Sequence, residues 1–482
     1  MREILLAIGG KRLPAADGTT MDVRSPATGE LLARMSCASP SDVDAAVSAA
    51  GEATAALAEL GPRGRARLVA RVADLLGDQQ EPIARDLASE QGKPIGEARG
   101  ELSAAVEMWR DAAELVRHLT EEILPSDDPA RAIVVRRRPH GVLAVVTPWN
   151  FPATIPTEYL CAGLAMGNAI VWKPSELTPI TADRILQCVE EAGFPAGAVN
   201  LVTGTGGSVG AALVGHRGVN AVGFTGSPET GDAISRSAGT KPLLLELGGN
   251  NATVVLPETD IAQAAEALAE AAFANAGQIC SSTERILVHE SIHDELRDAL
   301  AQAARDRRVG PSLDETTRMG PLNNAAVLEK VQRHVRQALD GGAVAVAGGR
   351  QPQGAATELF YEPTVLSGVR PDLDAFTEET FGPVAMLVPF ADDADAVRMV
   401  NDHRLGLIAG IIGDDIDRAL EIGRRLEVGM VNVDAVATAW QPHTPFGGFS
   451  GRRSGVGRLG GAYTLDALSQ LQTFVLPARR LP

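Results

Sequence analysis

Short apolar runs alternate with helical patterns through the middle of the chain. Five runs have the composition of buried strands: 141–146, 168–175, 199–204, 220–226 and 242–249. The helical patterns between them are 153–166, 178–192, 207–216 and 228–238. Because this alternation is typical of βαβ units, it predicts an α/β fold with a doubly wound parallel sheet. Ligands bind at the carboxyl ends of the strands in such sheets, so the residues after each strand are candidates for a site.

A second alternating region predicts a second α/β unit. Its apolar runs are 253–256, 285–289, 343–349, 381–390, 406–412 and 429–433. Near the amino terminus, Ser39 and Pro40 are expected to begin an alanine-rich helix. The tail 470–482 has the pattern of a strand that would be unpaired on its own. An apolar edge of this kind usually finds a partner, often another subunit.

Composition and charge narrow the class of protein. The 482 residues are too many for one core and suggest two or three domains. A net charge of −17 argues against a nucleic-acid partner and against an anionic membrane surface. No apolar run approaches the ~18 residues of a membrane span. Four cysteines without metal-ligand spacing predict neither disulfides nor a metal site, and we expect a cytoplasmic protein.

One cysteine has an unusual setting. Cys161 and Cys188 lie among apolar residues of predicted helices and fit the common role of a free cysteine as a small buried hydrophobe. Cys280 instead follows the turn "NAGQ" and precedes "SST". A polar, glycine-flexed setting suits a thiol that a substrate must approach, so Cys280 is a candidate nucleophile.

Two further side chains could assist such a thiol. Glu246 follows three leucines and precedes two glycines, and apolar surroundings would raise its pKa into the range of a general base. A carboxylate that caps a turn is the equally weighted alternative. Asn150 lies between two aromatic residues and two prolines, where a fixed amide could stabilise an oxyanion. The alternative for Asn150 is an ordinary turn asparagine.

Glycine turns and a charged pair indicate a nucleotide. "GTGGSVG" and "FTGSPETG" enter helices, as backbone segments that bind phosphates do, although each is a weak signal alone. Lys173 and Glu176 follow the second strand. A carboxylate at Glu176 would accept hydrogen bonds from ribose hydroxyls and repel a 2′-phosphate, which favours NAD and leaves NADP open.

The ordered set of motifs closely resembles the NAD(P)-dependent aldehyde dehydrogenase superfamily. The matching segments are "PWNFP", "WKPSE", "GFTGS", "LELGGN", "NAGQIC", "EETFGP" and "PFGG…SGVGR", and together they span essentially the whole chain. The resemblance implies a dinucleotide-binding domain at 1–120 and 140–248 and a catalytic domain at 249–465. It also implies a small β-element for oligomerisation at 121–139 and 466–482, whose tail strand pairs across a dimer, within a homodimer or homotetramer.

The resemblance assigns a role to each matching position. Cys280 is implied to attack the aldehyde, Asn150 and the Cys280 N–H to form the oxyanion hole, and Glu246 to activate the hydrolytic water. The implied cofactor contacts are Thr147, Pro148, Trp149, Lys173, Glu176, Gly206, Gly210, Phe224, Gly226, Ser227, Leu247, Glu379 and Phe381. Of these, Lys173, Glu176 and Glu379 resemble ribose contacts, and Phe381 resembles a wall beside the nicotinamide.

Three positions depart from the family pattern. Glu158 and Tyr159 stand where relatives often carry an aromatic residue or arginine followed by lysine, and Leu459 stands where a glutamate is usual. That lysine and glutamate are thought to carry protons away from the catalytic glutamate, so the proton path from Glu246 must differ here. The segment "PFGGFSGRRSG" is also about two residues longer than usual, so the conformation of this loop is not predicted.

Glu158 bears on the substrate. A glutamate would repel a substrate carboxylate, which suggests a cationic aldehyde such as an aminoaldehyde; the alternative is that Glu158 pairs with a nearby arginine. Phe151 and Trp440 are expected to form apolar walls.

The sequence therefore predicts oxidation of an aldehyde to an acid through a thiohemiacetal and a thioester, with an aminoaldehyde or apolar aldehyde as substrate. A cofactor-independent thioester or ester hydrolase and a non-catalytic binding protein of the same fold are the alternatives.

Overall fold

The computed structural model describes residues 2–480. Met1 and residues 481–482, which belong to the predicted first and last segments, lie outside the described residues. The strands are β1 (Arg2–Ile4), β2 (Leu6–Ile8), β3 (Lys11–Leu13), β4 (Thr20–Arg24), β5 (Leu31–Ser36), β6 (Glu122–Leu124), β7 (Arg131–Pro139), β8 (Val142–Val146), β9 (Ala169–Lys173), β10 (Val199–Leu201), β11 (Ala221–Gly226), β12 (Leu243–Leu247), β13 (Asn251–Val255), β14 (Thr283–His289), β15 (Val344–Ala347), β16 (Thr364–Ser367), β17 (Val384–Phe390), β18 (Ile408–Ile412), β19 (Met430–Val433), β20 (Gly455–Val456) and β21 (Ser469–Pro477).

The helices flank these strands. They are α1 (Pro40–Glu59), α2 (Gly61–Asp78), α3 (Gln80–Gln91), α4 (Ile95–Leu115), α5 (Thr154–Met166), α6 (Pro179–Ala192), α7 (Ala211–Gly215), α8 (Pro228–Ala238), α9 (Ile261–Phe273), α10 (His293–Asp306), α11 (Ala325–Asp340), α12 (Asp374–Thr377), α13 (Asp393–Asn401), α14 (Ile416–Gly423) and α15 (Gly461–Ala467). Short 3-10 turns lie at Ala274–Gly277, Glu290–Ile292 and Ala478–Arg480, and a π-helical turn lies at Gly206–Gly210.

The first sheet confirms the predicted doubly wound pattern. Its strand order is β20-β12-β11-β8-β9-β10-β2-β3, and the five predicted strands form its parallel centre. The helix predicted at 207–216 is a π-helical turn followed by the short α7. Ser39 begins α1 with a capping box, because its side chain accepts from the Asp42 N–H and the Asp42 carboxylate accepts from the Ser39 N–H.

The second sheet confirms the second α/β unit. Its order is β15-β16-β17-β14-β13-β18-β19, and all neighbouring strands from β16 to β19 run parallel. Each large sheet has its own apolar core: Leu143 and Trp172 are fully buried in the first, and Ile286 and Leu387 in the second. Separate cores let the two sheets face each other across a cleft.

The chain returns to the first sheet after it has completed the second. β20 pairs antiparallel with β12, which places Gly455 opposite Glu246. Helix α15 then packs against α4 and α5. Because of this return, the segment around Gly447 and Leu459 covers the end of β12 and closes one side of the cleft.

The tail strand has a partner within its own chain. β21 pairs antiparallel with β7 from Ser469↔Pro139 to Pro477↔Arg131, in a three-stranded sheet of order β21-β7-β6. The prediction that the tail strand is unpaired on its own is therefore wrong. The complementary strand β7 was visible as "RAIVVRRRP", but it precedes the tail by more than 300 residues, and sequence pattern alone does not match such distant strands.

The helices of the described residues contain no apolar stretch long enough to cross a membrane.

Candidate active site

The turn before Cys280 has an unusual backbone. After α9 ends at Phe273, Asn275 and Ala276 adopt positive φ angles of 48° and 54°, and Gly277 follows at 70°. Non-glycine residues seldom adopt this region and persist there only where neighbouring contacts hold them. A Cβ at Gly277 would lie 2.0 Å from the carbonyl oxygen of Gly382, so the position accepts glycine alone.

Side-chain amides hold this turn in place. The Gln278 amide donates to the Asn275 carbonyl over 2.8 Å and accepts from the Asn323 N–H, also over 2.8 Å. The Asn251 amide donates to the carbonyl of Cys280 itself over 2.7 Å. The position of the thiol is therefore set by a network of buried hydrogen bonds.

Asn150 belongs to the same network. It is buried, its Nδ2 donates to the Gln278 carbonyl over 3.0 Å, and its own carbonyl accepts from Asn275 Nδ2 over 3.0 Å. An amide nitrogen carries two hydrogens, so one remains for another acceptor. The amide is thus fixed beside the turn that carries Cys280.

A cavity of about 630 Å³, here called the main cavity, lies between the two large sheets. It brings together many of the predicted site residues, namely Pro148, Trp149, Asn150, Phe151, Glu158, Gly226, Ser227, Glu246, Leu247, Cys280, Glu379, Phe381 and Trp440. The candidate nucleophile, amide and general base therefore share one cavity, although they come from separate segments.

The remaining predicted residues lie along the carboxyl edge of the first sheet, outside the lining of this cavity: Thr147, Lys173, Glu176, Gly206, Gly210 and Phe224. The Thr147 hydroxyl accepts from the Trp172 indole N–H over 2.9 Å. Lys173 Nζ donates to Glu176 Oε2 over 2.9 Å. The Phe224 ring fills the space beside Gly226, where a Cβ would lie 2.4 Å from the ring.

Burial dominates the electrostatics at Cys280. The thiol packs against an apolar cluster that includes Leu407 and Phe446, so its setting is less polar than the following "SST" suggested. Burial, and then the carboxyl groups of Glu379, Glu246 and Glu158, raise the pKa of Cys280 to about 12. The resting thiol is therefore protonated near neutral pH and needs a base.

Glu246 has the properties of such a base. Both of its carboxyl oxygens are buried and have no hydrogen-bond partner in the described part of the chain. Burial, followed by the nearby carboxyl of Glu158, raises the pKa of Glu246 well above its usual value, while Arg458 acts in the opposite direction. The backbone N–H of Leu459 also lowers this pKa, although no N–H in the described part of the chain forms a hydrogen bond of normal geometry with Glu246.

Glu158 has no basic partner. No lysine or arginine within residues 2–480 forms an ion pair with it, and its Oε2 is buried without a hydrogen bond. Burial alone raises the pKa of Glu158 to about 8. The alternative that Glu158 pairs with an arginine is therefore wrong.

Two buried carboxylates that the sequence did not single out position the site. Glu284 accepts from the N–H groups of Thr380 and Phe381, each over 2.7 Å, and so holds Phe381 at a φ of 58°. The Phe381 ring then meets Trp149 edge-on, with ring centroids 5.7 Å apart. A charged residue inside the apolar strand run "TERILVH" was the available signal.

Glu101 acts in the same way at α5. Its Oε1 accepts from the Ala153 N–H over 2.7 Å at the start of the helix, where a carboxylate also interacts favourably with the helix dipole. Its Oε2 accepts from Lys93 Nζ over 2.6 Å, and this nitrogen lies 3.7 Å from the Phe151 ring centroid. The amphipathic pattern of α4 contained no sign of this role.

The polar groups along the cleft fit a dinucleotide. Glu176 and Glu379 provide carboxyl acceptors for hydroxyl groups at separate points, and the amino end of α8, capped by Ser227, lies along the same edge. Gly248 lets its backbone approach Glu379, since a Cβ there would lie 2.5 Å from Glu379 Oε2. Residues 2–480 contain no cluster of His, Cys, Asp and Glu suited to a metal ion.

Comparison with known proteins agrees with this geometry. The model of the aldehyde dehydrogenase family matches residues 13–474. A mitochondrial succinate-semialdehyde dehydrogenase of Oryza sativa subsp. japonica is 38% identical over 467 residues, which cover 96% of this chain and 88% of the relative. An NADP-linked succinate-semialdehyde dehydrogenase of Escherichia coli is 34% identical over 461 residues, which cover 95% of each chain.

Among solved structures, an NAD-dependent aldehyde dehydrogenase from Sinorhizobium meliloti superposes with a TM-score of 0.96 at 35% identity. The match covers 100% of this chain and 96% of the other.

The strained turn generates a prediction. Gly277→Ala introduces both a clash with Gly382 and a strained positive φ, so we expect it to destabilise the protein by about 2 kcal/mol or more. Thermal unfolding measures the effect. Gly51→Ala, at a helical position with open space around it, is the control and should unfold at or above the wild-type temperature. Equal unfolding temperatures for Gly277→Ala and wild type would contradict the role given to this turn.

Proposed function

This chain belongs to the aldehyde dehydrogenase family and oxidises an aldehyde with a nicotinamide cofactor, and we propose that it does so through a covalent intermediate on Cys280. The observation that carries the proposal is the convergence of Cys280, Asn150 and Glu246 on the main cavity. No observation favours a cofactor-independent hydrolase or a non-catalytic protein over this reaction.

In the first step Glu246 takes the thiol proton and the sulfur attacks the aldehyde carbon. The raised pKa of Glu246 makes it a strong base for a thiol whose own pKa is also raised. The new oxyanion lies between the free hydrogen of Asn150 Nδ2 and the Cys280 N–H, which donates no hydrogen bond elsewhere in the described chain. Two such donors in a buried site stabilise the developing charge.

A bound nicotinamide supplies the acceptor for the hydride that leaves the thiohemiacetal carbon. What remains on Cys280 is a thioester, whose C–S bond water can open. Once the thiol proton has left Glu246, this carboxylate takes a proton from the attacking water, the acid departs, and the sulfur is left as a thiolate. The same carboxyl therefore acts in both halves of the reaction.

Two substitutions test these steps. We expect Cys280→Ser to abolish turnover, because a serine hydroxyl is far less nucleophilic than a thiolate. Glu246→Gln should slow both thiol attack and thioester hydrolysis, each by roughly 10²-fold or more, since general-base catalysis contributes about that much to a step. Rapid-mixing measurements of NADH formation and of acid release report the two steps. Full activity of Glu246→Gln at neutral pH would exclude the proposed role of this carboxyl.

NAD is the proposed preferred cofactor. Glu176 remains partly exposed while its partner Lys173 is buried. The carboxylate would repel a 2′-phosphate, and Lys173 is already neutralised by its ion pair with Glu176. These contacts support NAD over NADP, even though the E. coli relative is named for NADP.

Removing the carboxylate should relax this preference. We expect Glu176→Ser to raise the ratio of kcat/KM for NADP to that for NAD by about tenfold, equivalent to ~1.4 kcal/mol. Glu191→Ser, which removes an exposed carboxylate at the far end of α6, is the matched control and should leave the ratio unchanged. A wild-type ratio in favour of NADP would refute the preference itself.

The lining of the main cavity bears on the substrate. Its acidic members are Glu97, Glu101, Glu158, Glu246 and Glu379, whereas Lys330 is the one basic side chain in the described lining. Phe151, Ile155, Trp440, Phe446 and Leu459 add apolar surface. Apart from Lys330, the described lining offers a second carboxylate no basic partner, and ionisation of its acidic members would add like charge as the pH rises. We therefore propose an aminoaldehyde or an apolar aldehyde, unlike the semialdehydes named for the two relatives.

An aldehyde panel tests the substrate class. We expect kcat/KM to be higher for 4-aminobutanal and hexanal than for succinate semialdehyde. In Glu158→Gln the ratio of 4-aminobutanal to hexanal should fall severalfold, because the ratio isolates recognition of the amine from any change common to both substrates. A higher kcat/KM of the wild-type enzyme for succinate semialdehyde would contradict the proposed substrate class.

A homodimer or homotetramer in the cytoplasm is also proposed. The three-stranded sheet leaves Ile123, Leu471 and Val475 largely exposed, and β21 has a free edge, which supports pairing with another subunit. All four cysteines are free thiols, which supports a reducing compartment.

A further inference from the structure

Glu246 must lose a proton in every catalytic cycle, and few groups around it can accept one. Glu158 and Arg458 shift the pKa of Glu246, and Glu246 in turn raises the pKa values of Tyr159 and Cys280. Leu459, at the position where the chain covers β12, contributes an apolar side chain and a backbone N–H, neither of which can accept a proton. The destination of the proton must therefore be found among these few groups.

Tyr159 is unsuited to accept it. Its hydroxyl donates to the Phe224 carbonyl over 3.1 Å and lies 2.9 Å from Thr225 Oγ1. The ring is packed against Gly223, where a Cβ would lie 2.5 Å away. Burial, and then the charge of Glu246, raise the pKa of Tyr159 well above its usual value, so the phenol keeps its own proton at neutral pH.

Arg458 and Cys280 are also unsuited. The Arg458 guanidinium donates to the Gly457 carbonyl over 2.7 Å and stays protonated at any working pH. The Cys280 sulfur is bonded to the acyl group during hydrolysis. Glu158 is the group that remains, and it has a buried oxygen with no partner in the described part of the chain.

Glu158 also reaches a second space. A cavity of about 20 Å³, here called the small cavity, is lined by Glu158, Cys161, Asp111 and Thr464 among others. This volume holds about one water molecule. Asp111 is exposed on the outer side of α4, so Glu158 stands between the main cavity and a route to solvent.

We propose that Glu158 receives the proton that Glu246 takes from the Cys280 thiol and passes it, through one water in the small cavity, to Asp111 and solvent, which frees Glu246 to activate the hydrolytic water. The inference rests on the proposed function. The main cavity supplies the first transfer and the small cavity the second, and Glu158 is the residue common to both.

The steps balance without a further reactant. Water forms its O–C bond to the thioester carbon as one of its protons moves to Glu246. The C–S bond breaks, and its electron pair leaves with the sulfur of Cys280 as a thiolate. Before hydrolysis, the thiol proton has moved from Glu246 to the Glu158 carboxylate and then through the water of the small cavity to the Asp111 carboxylate, which releases it to bulk water. After hydrolysis, the proton taken from water passes from Glu246 to the thiolate and restores the thiol.

The charged surroundings set the pH dependence. Burial raises the pKa of Glu158 to about 8. The titratable groups on which Glu158 acts are Cys161, Tyr159, Glu246 and Cys280, and Asp111 shares the small cavity with it. Burial, and then the charges of Glu114 and Glu107, raise the pKa of Asp111, whereas His443 lowers it. Below its pKa Glu158 is protonated and cannot accept a proton, so thioester hydrolysis should accelerate as the pH rises through about 8.

The test uses p-nitrophenyl acetate, which acylates Cys280 without cofactor. The burst of nitrophenolate reports acylation and the steady rate reports hydrolysis. We expect Glu158→Gln to keep the burst, to lower the steady rate about tenfold or more at pH 7.5, and to lose the acceleration near pH 8. Asp111→Asn should slow the steady rate by about threefold, and Glu59→Gln, which removes an exposed carboxylate at the end of α1, should match wild type.

Glu158→Asp separates proton transfer from a structural role. We expect it to recover a titrating hydrolysis rate that Glu158→Gln lacks. If Glu158→Gln had the wild-type rate and pH profile, the relay would be excluded. Loss of the burst in both variants would also exclude it, because Glu158 would then have a structural role. Lack of any burst in the wild-type protein together with full activity of Cys280→Ser would instead overturn the proposed function.

Discussion

Burial of ionisable groups without counterions is the constraint on which this cleft depends. Glu246 and Glu158 lie in a pocket whose walls are largely apolar, and neither carboxyl has a bonded cation within residues 2–480. Burial raises the pKa values of both, and their mutual repulsion raises that of Glu246 further. A carboxyl solvated by water would be too weak a base for a thiol as little acidic as Cys280, so the apolar walls make the chemistry available.

Such a pocket requires a rigid frame, because a mobile wall would admit water and restore ordinary pKa values. The frame is built from buried amides and carboxylates. Asn251 and Gln278 hold the turn of Cys280, and Glu284 holds Phe381. Glu101 holds the start of α5 from which Glu158 projects. Each of these side chains satisfies backbone N–H or C=O groups that would otherwise be buried without partners.

Local patterns in the sequence predicted the parallel centre of the first sheet and most strands of the second, since these are short apolar runs between turns, but they missed the short strands β2, β3, β16 and β20. They also predicted Cys280, Asn150 and Glu246, because these residues stand at turns or strand ends where a site is expected. The family resemblance, but no local pattern, placed the segment of β7 in one β-element with the tail. The frame carboxylates Glu101 and Glu284 and the apolar neighbours of Cys280 were not predicted. Each of these depends on contacts between segments far apart in the chain, which periodicity does not encode.

Tyr159 and Leu459, the two residues beside Glu246 that depart from the family pattern, both bear on the pKa of that carboxyl. A lysine beside Glu246 would lower the pKa of that carboxyl by charge, and a glutamate at the other position would raise it. Their replacement by a neutral phenol and an apolar side chain leaves burial and Glu158 as the main influences on Glu246. Among the acidic residues that line the main cavity, Glu158 also lines the small cavity, and its Oε2 has no hydrogen-bond partner in the described part of the chain. Charge repulsion toward a substrate carboxylate and acceptance of a proton from Glu246 are thus two consequences of one unpaired buried glutamate.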